Sequence, residues 1–230
     1  MDDGKILELE QKIGVGFKNK DLLLQALTHR SYLNENTKWP LDHNERLEFL
    51  GDAVLELIVT DFLYAHYPNP EGELTNWRAA IVNSVILAKI SSKFDLNDYI
   101  LLSRGEAKDV GRARQYILAK AIEAVIGSIY LDQGYKKSEE FIKRFIIEEL
   151  PAIIEEESYR DPKSRFQEEA QDRVGITPTY EVIKEWGPDH ARNFDVGVFL
   201  GDELVAKGEG LSKQEAQQAA AENALKIKQW

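Results

Sequence analysis

The stretch from His43 to Ile58, HNERLEFLGDAVLELI, most constrains the fold because its pattern is typical of a helix with two unlike faces. At about 100° per residue, its apolar residues fall within an arc of roughly 100°, the width of a core-facing stripe. Its acidic residues fall within an arc of about 80° on the opposite side. The apolar set is Leu47, Leu50, Val54, Leu57 and Ile58, and the acidic set is Glu45, Glu48, Asp52 and Glu56. The pattern therefore predicts a long helix that covers the core of a domain.

The acidic face has two interpretations from the residues alone. Carboxylates at helical spacing repel one another by a few tenths of a kcal/mol per pair, which a solvated face tolerates. The alternative is a divalent-cation site, because carboxylate oxygens on a rigid element suit Mg²⁺ or Mn²⁺. Gly51 in mid-helix costs about 1 kcal/mol against Ala, so it indicates close approach of another element. Phe49 lies beside the acidic face, which indicates either plain exposure or contact with a partner.

A second predicted helix carries a further acid. Residues 115–132, QYILAKAIEAVIGSIYLD, have an apolar face with Lys120, Glu123 and Gly127 on the other side. An ionised carboxylate in so apolar a helix needs a partner, either an ion pair with Lys120 or a metal ion. Gly127 leaves room for a neighbouring backbone or a ligand.

The pattern of the chain changes near residue 151. Residues 1–150 read as helices, including one over 20–34 and a long one that starts near Thr75. Residues 151–160 begin with proline and continue with a run of Glu, which is typical of a linker. Residues 161–230 read as helix, three strands and helix, with GD as a hairpin turn between the last two strands. The sequence therefore predicts an all-α N-terminal domain followed by a small α+β domain in α-β-β-β-α order.

Composition excludes several classes of protein. The 230 residues contain no Cys, which excludes disulfides and thiolate metal sites and is expected of a reducing cytoplasm. No apolar run approaches the ~18 residues of a membrane span, and the acidic N-terminus is unlike a secretory signal. The net charge of −11 disfavours an electrostatic binder of nucleic acid, unless bound cations reverse the field of a local acidic site. We therefore expect a cytoplasmic protein without a membrane partner.

Four sequence blocks and the C-terminal module carry a family resemblance. HNERLEFLGDAVL resembles the signature of the ribonuclease III family, and ALTHRSY, RAAIVN and ILAKAIEAVIGSIYLDQG resemble its other blocks. The C-terminal module resembles a double-stranded-RNA-binding domain. The resemblance implies a homodimeric, Mg²⁺-dependent endoribonuclease, with Mn²⁺ as a substitute, that cuts double-stranded RNA and processes ribosomal and other structured precursors. It also implies in-line attack by water, leaving 5′-phosphates and two-nucleotide 3′ overhangs.

The resemblance also implies roles for particular acids. Glu48, Asp52 and Glu123 match the family's metal ligands, and Asp52 and Glu123 match its catalytic acids. Glu45 and Glu71 match supporting acids that handle RNA or complete the site across the dimer. The expected active site thus draws its carboxylates from two helices and the loop that follows the first of them.

Two further positions bear on dimer contact and on metal binding. Phe49 matches an aromatic residue that inserts into the partner subunit as a dimer contact. Lys120 departs from the family pattern, which has an aspartate there, so one ligand is lost and a charge that repels Mg²⁺ is added. The chain is then a nuclease with an altered metal requirement, a catalytically impaired double-stranded-RNA-binding protein, or an engineered inactive form. We favour the nuclease because the other acids are all present, namely Glu45, Glu48, Asp52, Glu71 and Glu123.

In the C-terminal module, the resemblance places Gln167 and Glu168 in one minor groove and His190 in the next. Ser212 and Lys213 would face the phosphates between them, and such domains span ~16 bp of A-form duplex. The module carries nine Lys+Arg against thirteen Asp+Glu, so we expect weak RNA affinity with a shallow salt dependence. The alternative is a module of the same fold that contacts proteins.

Overall fold

The computed structural model describes residues 3–155, 161–188 and 192–230, so the predicted RNA contact His190 lies outside the described residues. The chain forms two compact units, Met1–Tyr159 and Arg160–Trp230. The first unit is helical and the second combines helices with a sheet, which confirms the predicted fold class. None of the described helices is both long and apolar enough to cross a membrane.

The first unit consists of helices around one core. They are α1 (Asp3–Ile13), α2 (Lys20–Ala26), α3 (Arg30–Glu35), α4 (Glu45–His66), α5 (Glu71–Ile81), α6 (Ser84–Ser92), α7 (Arg112–Gln133), α8 (Tyr135–Phe145) and α9 (Leu150–Glu155). The two helices of 22 residues, α4 and α7, form the most extensive helix pair among the described residues. Because α7 is buried on several sides between Ile117 and Ile129, it is the central helix of this core.

The helix predicted over residues 20–34 is interrupted in the structure. It ends at Ala26, and a new helix begins only at Arg30. The break follows from backbone pairing with a distant residue, since the N–H of Leu101 donates to the carbonyl of Leu27 at 2.8 Å. Sequence periodicity reports only local spacing, so it could not reveal this long-range pairing.

The long helix predicted from Thr75 is wrong, because the chain forms two helices there. α5 begins earlier, at Glu71, and α6 begins at Ser84. Between them, the Asn83 side chain accepts hydrogen bonds from the backbone N–H groups of Val85 and Ile86, at 3.0 and 2.9 Å. An asparagine that caps a helix in this way starts a new helix and sets its direction.

The buried stripe of α4 is rotated relative to the predicted one. Leu57 is 58% exposed, whereas Leu55 and Val59 are buried. The rotation follows from α7, whose backbone lies against Gly51 and brings that side of α4 into the core. As a result, Glu48 lies at the edge of the buried stripe with only 19% of its side chain exposed.

The second unit is a three-stranded antiparallel sheet packed against helices. Its elements are α10 (Pro162–Val174), β1 (Thr179–Trp186), β2 (Asn193–Leu200), β3 (Glu203–Gly210) and α11 (Lys213–Lys228). The strands lie in the order β1-β2-β3, and Gly201, with a φ of 60°, turns the chain from β2 to β3. A Cβ on Gly208 would lie 2.1 Å from the backbone nitrogen of Ala220, so β3 and the Ala-rich α11 pack with almost no space between them.

The segment between the two units begins as helix. α9 extends to Glu155 and buries Ile153 in the core of the first unit. Residues 156–160 lie outside the described residues. The division into residues 1–150, a linker at 151–160 and residues 161–230 stays a prediction.

Candidate active site

The candidate site lies where α4 and α7 cross in direct backbone contact. A Cβ on Gly51 would lie 1.7 Å from the carbonyl oxygen of Glu123, and a Cβ on Gly127 would lie 2.2 Å from the carbonyl oxygen of Leu47. Only glycine fits at either position, which confirms the close approach that both glycines indicated. The crossing brings the acids on either side of Gly51 next to the turn of α7 that carries Glu123.

The acids of the two helices share one electrostatic environment. Burial, together with the negative charges of Asp52 and Glu48, raises the pKa of the Glu123 carboxyl to about 7, while Lys120 acts in the opposite direction. A carboxyl with so high a pKa is short of compensating positive charge. The site therefore holds more negative charge than its own side chains neutralise, which is the condition that favours a bound cation.

Lys120 makes a short polar contact within this cluster. Its Nζ donates a hydrogen bond of 2.6 Å to Oε1 of Glu48. That bond, together with the attraction of Glu48, Glu123 and Glu45, holds the pKa of the ammonium above its usual value. The sequence allowed Lys120 or a metal ion as the partner of Glu123. In the structure, Lys120 instead donates its hydrogen bond to Glu48 of α4.

The donor set fits a hard divalent ion by its chemistry. Glu48, Asp52 and Glu123 offer only carboxylate oxygens, the ligand type that Mg²⁺ and Mn²⁺ prefer. Among the described residues, however, no three His, Asp or Glu side chains are already spaced to ligate one ion. With Glu48 directed at Lys120, the carboxylates would have to adjust their side-chain torsions to close around a cation.

The two supporting acids lie in different surroundings. Glu45, in the first turn of α4, accepts a hydrogen bond of 3.2 Å from Nη1 of Arg30. Glu71 begins α5, accepts a hydrogen bond from Thr75 at 2.9 Å and lines a cavity of about 650 Å³ beside the C-terminal half of α4. Within one chain the structure therefore does not bring Glu71 to the α4–α7 crossing.

Phe49 projects from α4 into solvent with 81% of its surface exposed. Its ring forms part of the wall of a cavity of about 640 Å³, whose lining is mainly apolar and includes Leu22, Leu50 and the half-exposed Leu131. A bulky apolar knob beside an apolar cavity forms a surface on which one copy's knob and another's cavity could complement each other.

The second unit exposes a polar cleft between α10 and α11. Gln167 and Glu168 are exposed on α10. Ser212 caps α11 by accepting a hydrogen bond from the N–H of Glu215 at 3.1 Å, and Lys213 follows it in the exposed first turn. The cleft has a volume of about 850 Å³ and is lined by Gln167, Lys213 and further polar residues.

Sequence reasoning missed Lys163, which lines the same cleft. Its Nζ donates a hydrogen bond of 2.7 Å to Gln217 of α11 and lies 4.9 Å from the ring centre of Tyr180. The available signal was its position four residues before Gln167, which places both side chains on one face of α10.

Comparisons with known proteins agree with this architecture. Residues 19–150 match a family model described as Ribonuclease-III-like, and residues 162–228 match the double-stranded RNA binding motif. The fold and the acidic crossing thus define the class: a nuclease domain followed by an RNA-binding domain.

The relatives identify the family. The chain is 44% identical over 96% of its length to ribonuclease 3 of Nitratiruptor, covering 95% of that protein. It is 46% identical over 94% of its length to ribonuclease 3 of Natranaerobius thermophilus, covering 93% of it. A solved nuclease domain of ribonuclease III from Campylobacter jejuni matches with a TM-score of 0.58 and 41% identity, covering 64% of this chain and 99% of that one. The chain belongs to the ribonuclease III family, whose members are metal-dependent, and is an endoribonuclease for double-stranded RNA.

Proposed function

We propose that this endoribonuclease uses Mg²⁺, with Mn²⁺ as a substitute, held by Glu48, Asp52 and Glu123. The observation that carries the proposal is the α4–α7 crossing, where the backbone of Glu123 lies directly against Gly51 and so next to the acids on either side of that glycine. The pKa of Glu123, raised to about 7 by burial and by the charges of Asp52 and Glu48, is consistent with it. The glycine contacts fix the backbones of the three acids relative to one another, so that changes of side-chain torsion alone would bring their carboxylates around one ion. A cation held there would place positive charge beside the phosphate, where negative charge develops in the transition state.

We assign the side chains the roles that the family resemblance implies. A bound divalent ion supplies Lewis acidity at the phosphate and lowers the pKa of a water molecule. Asp52 and Glu123 orient the attacking water along the line of the bond that breaks, and Glu48 completes the donor set from the start of α4. Attack in line breaks the bond from phosphorus to the 3′-oxygen, which takes up a proton to become the 3′-hydroxyl of the upstream fragment, and leaves a 5′-phosphate on the downstream fragment.

We also propose a homodimer that uses Phe49 as its contact. The exposed ring and the adjacent apolar cavity support this proposal, as does the Campylobacter jejuni relative, whose nuclease domain is described with a region involved in dimer formation. Two sites related by the twofold axis would each cut one strand and so leave two-nucleotide 3′ overhangs. Glu45 and Glu71 then support the site, with Glu71 acting across the dimer because it lies apart from the crossing in its own chain.

The second unit holds the substrate duplex in this proposal. Gln167 and Glu168 contact one minor groove and His190 the next, while Ser212 and Lys213 face the phosphates between them. The N-terminus of α11 adds its partial positive charge to that of Lys213. Lys163, in the same cleft, supplies a second cation where the module is otherwise acidic. We place the enzyme in the cytoplasm, acting on ribosomal and other structured precursor RNA.

The test is cleavage of a long, uniform RNA duplex by the full chain in Mg²⁺, in Mn²⁺ and in EDTA. We expect discrete short duplexes with 5′-phosphates and two-nucleotide 3′ overhangs in either metal and none in EDTA. Glu123→Gln should abolish cutting, while Glu56→Gln, on the exposed side of the same α4 helix, should not. Undiminished cutting by Glu123→Gln would overturn the site. Intact RNA in wild type, with cutting gained in Lys120→Asp, would favour a catalytically impaired binding protein instead.

A further inference from the structure

We propose that Lys120 is a built-in cation that takes the place of one divalent ion at the α4–α7 crossing, so that this chain binds one ion fewer per subunit than an all-carboxylate site would. The inference deepens the proposed function and rests on the metal site described there. It concerns how the site is charged and how many ions it takes.

The geometry is the first support. The 2.6 Å bond from Lys120 to Glu48 joins residues 72 positions apart and so ties α7 to α4 at the site. Glu48 is mostly buried, with 19% of its side chain exposed, whereas 54% of the Lys120 side chain is exposed. The lysine therefore enters from the solvent side and places its charge at the rim of the acidic cluster, where an ion arriving from solution would also bind.

The balance of charge is the second support. Glu48, Asp52 and Glu123 together carry three negative charges when ionised, and Lys120 contributes one positive charge. The remaining two negative charges are neutralised by one divalent ion. With an acid at position 120 the cluster would carry four negative charges, which equal the charge of two divalent ions.

The third support is that Lys120 already occupies one of the two carboxylate oxygens of Glu48. Lys120 occupies Oε1 of Glu48, which leaves Oε2 as a ligand for a single ion. A carboxylate that binds two ions with one oxygen on each would use both oxygens, so the hydrogen bond from Lys120 competes with a second ion for Oε1. The lysine also keeps Glu48 oriented when no ion is bound.

The experiment counts Mn²⁺ bound to the full chain without RNA, from the loss of the electron paramagnetic resonance signal of free Mn²⁺. We expect Lys120→Asp to bind one more ion per subunit than wild type. Lys120→Gln should bind the same number of ions as wild type, with an affinity at least about tenfold higher. The reason is that a unit positive charge roughly 5 Å from a divalent ion weakens its binding by about that factor even at the dielectric constant of water. The matched control is Lys137→Asp, which makes the same change of charge on a different helix, α8. Lys137 forms an exposed ion pair with Glu140 there.

Thermal unfolding of the same proteins gives a second readout. In EDTA, Lys120→Asp should unfold below wild type because its carboxylates are uncompensated, and saturating Mn²⁺ should raise its Tm more than it raises that of wild type. Lys137→Asp should respond to Mn²⁺ as wild type does.

Equal Mn²⁺ numbers in wild type and Lys120→Asp would overturn the inference, whatever the affinity of Lys120→Gln, and would leave the metal site standing. Absence of bound Mn²⁺ in every variant would overturn the metal site itself and the inference with it. If Lys120→Asp does not fold, Lys120→Gln decides alone: tighter binding supports the inference, and unchanged or weaker binding overturns it.

Discussion

Replacing Glu123 by glutamine is expected to stabilise the metal-free protein while abolishing cleavage. The rise in pKa from the ordinary 4.5 to about 7 corresponds to roughly 3 kcal/mol of destabilisation once the carboxyl is ionised. Because the side chain is only partly buried, solvent screening reduces this to about 1–2 kcal/mol. Glutamine has nearly the same shape without the charge, so the variant should unfold about 3–6 °C above wild type at about pH 8.

The pH dependence has a defined sign. Between pH values of about 4.5 and 7 the native protein holds a proton on Glu123 that the unfolded chain has lost. The stability attributable to this group is therefore largest below this window and is lost as pH rises through it. The advantage of Glu123→Gln should accordingly be full at about pH 8 and should shrink towards about pH 5.

The assay is thermal unfolding in EDTA at both pH values, followed by circular dichroism. Glu56→Gln, which removes a carboxylate from the exposed side of α4, should stay within about 0.5 kcal/mol of wild type. The reasoning is refuted if Glu123→Gln is less stable than wild type at about pH 8, or if its advantage is the same at both pH values. Either result would mean that the carboxylate is compensated in the metal-free protein.

Three further predictions concern packing, assembly and RNA binding. Gly51→Ala should destabilise by about 3 kcal/mol or more in chemical denaturation, because its Cβ would overlap the carbonyl of α7, whereas Gly72→Ala, with nothing within 4 Å, should be neutral or stabilising. An unaffected Gly51→Ala would contradict the crossing. Phe49→Ala should move the chain towards monomer in light scattering, and an unchanged dimer would exclude this contact. Lys163→Gln should lower the slope of the logarithm of the duplex-binding constant against the logarithm of salt concentration by about 0.9. Lys226→Gln, at the far end of α11, should leave that slope unchanged. Equal slopes for Lys163→Gln and wild type would exclude Lys163 from the interface.

The sequence predicted the acidic crossing because the relevant spacings are local. The mid-helix glycines of 43–58 and 115–132 indicated close approach of another element to each helix, and the family resemblance implied that Glu123 joins the acids of the first helix. The hairpin at Gly201 was predictable for the same reason, since a two-residue turn is encoded by its own residues.

Features that depend on contacts between distant residues could not be predicted from the sequence. The Leu27–Leu101 pairing that ends α2 and the rotation of α4 that exposes Leu57 both arise from tertiary contacts. The partner of Lys120 is of the same kind, because Glu48 is 72 residues away and only the helix crossing brings it within 2.6 Å. Spacing along one helix made Glu123 an equally reasonable partner.

The proposed mechanism depends most directly on a divalent ion bound jointly by α4 and α7. Anomalous diffraction at the manganese edge, from crystals of the full chain grown in Mn²⁺ with an RNA duplex, measures this directly. We predict a manganese peak within ligand distance of carboxylates from both helices, namely Glu123 together with Asp52 or Glu48. Saturating Mn²⁺ with no peak between these side chains, or with peaks only elsewhere, would contradict the account.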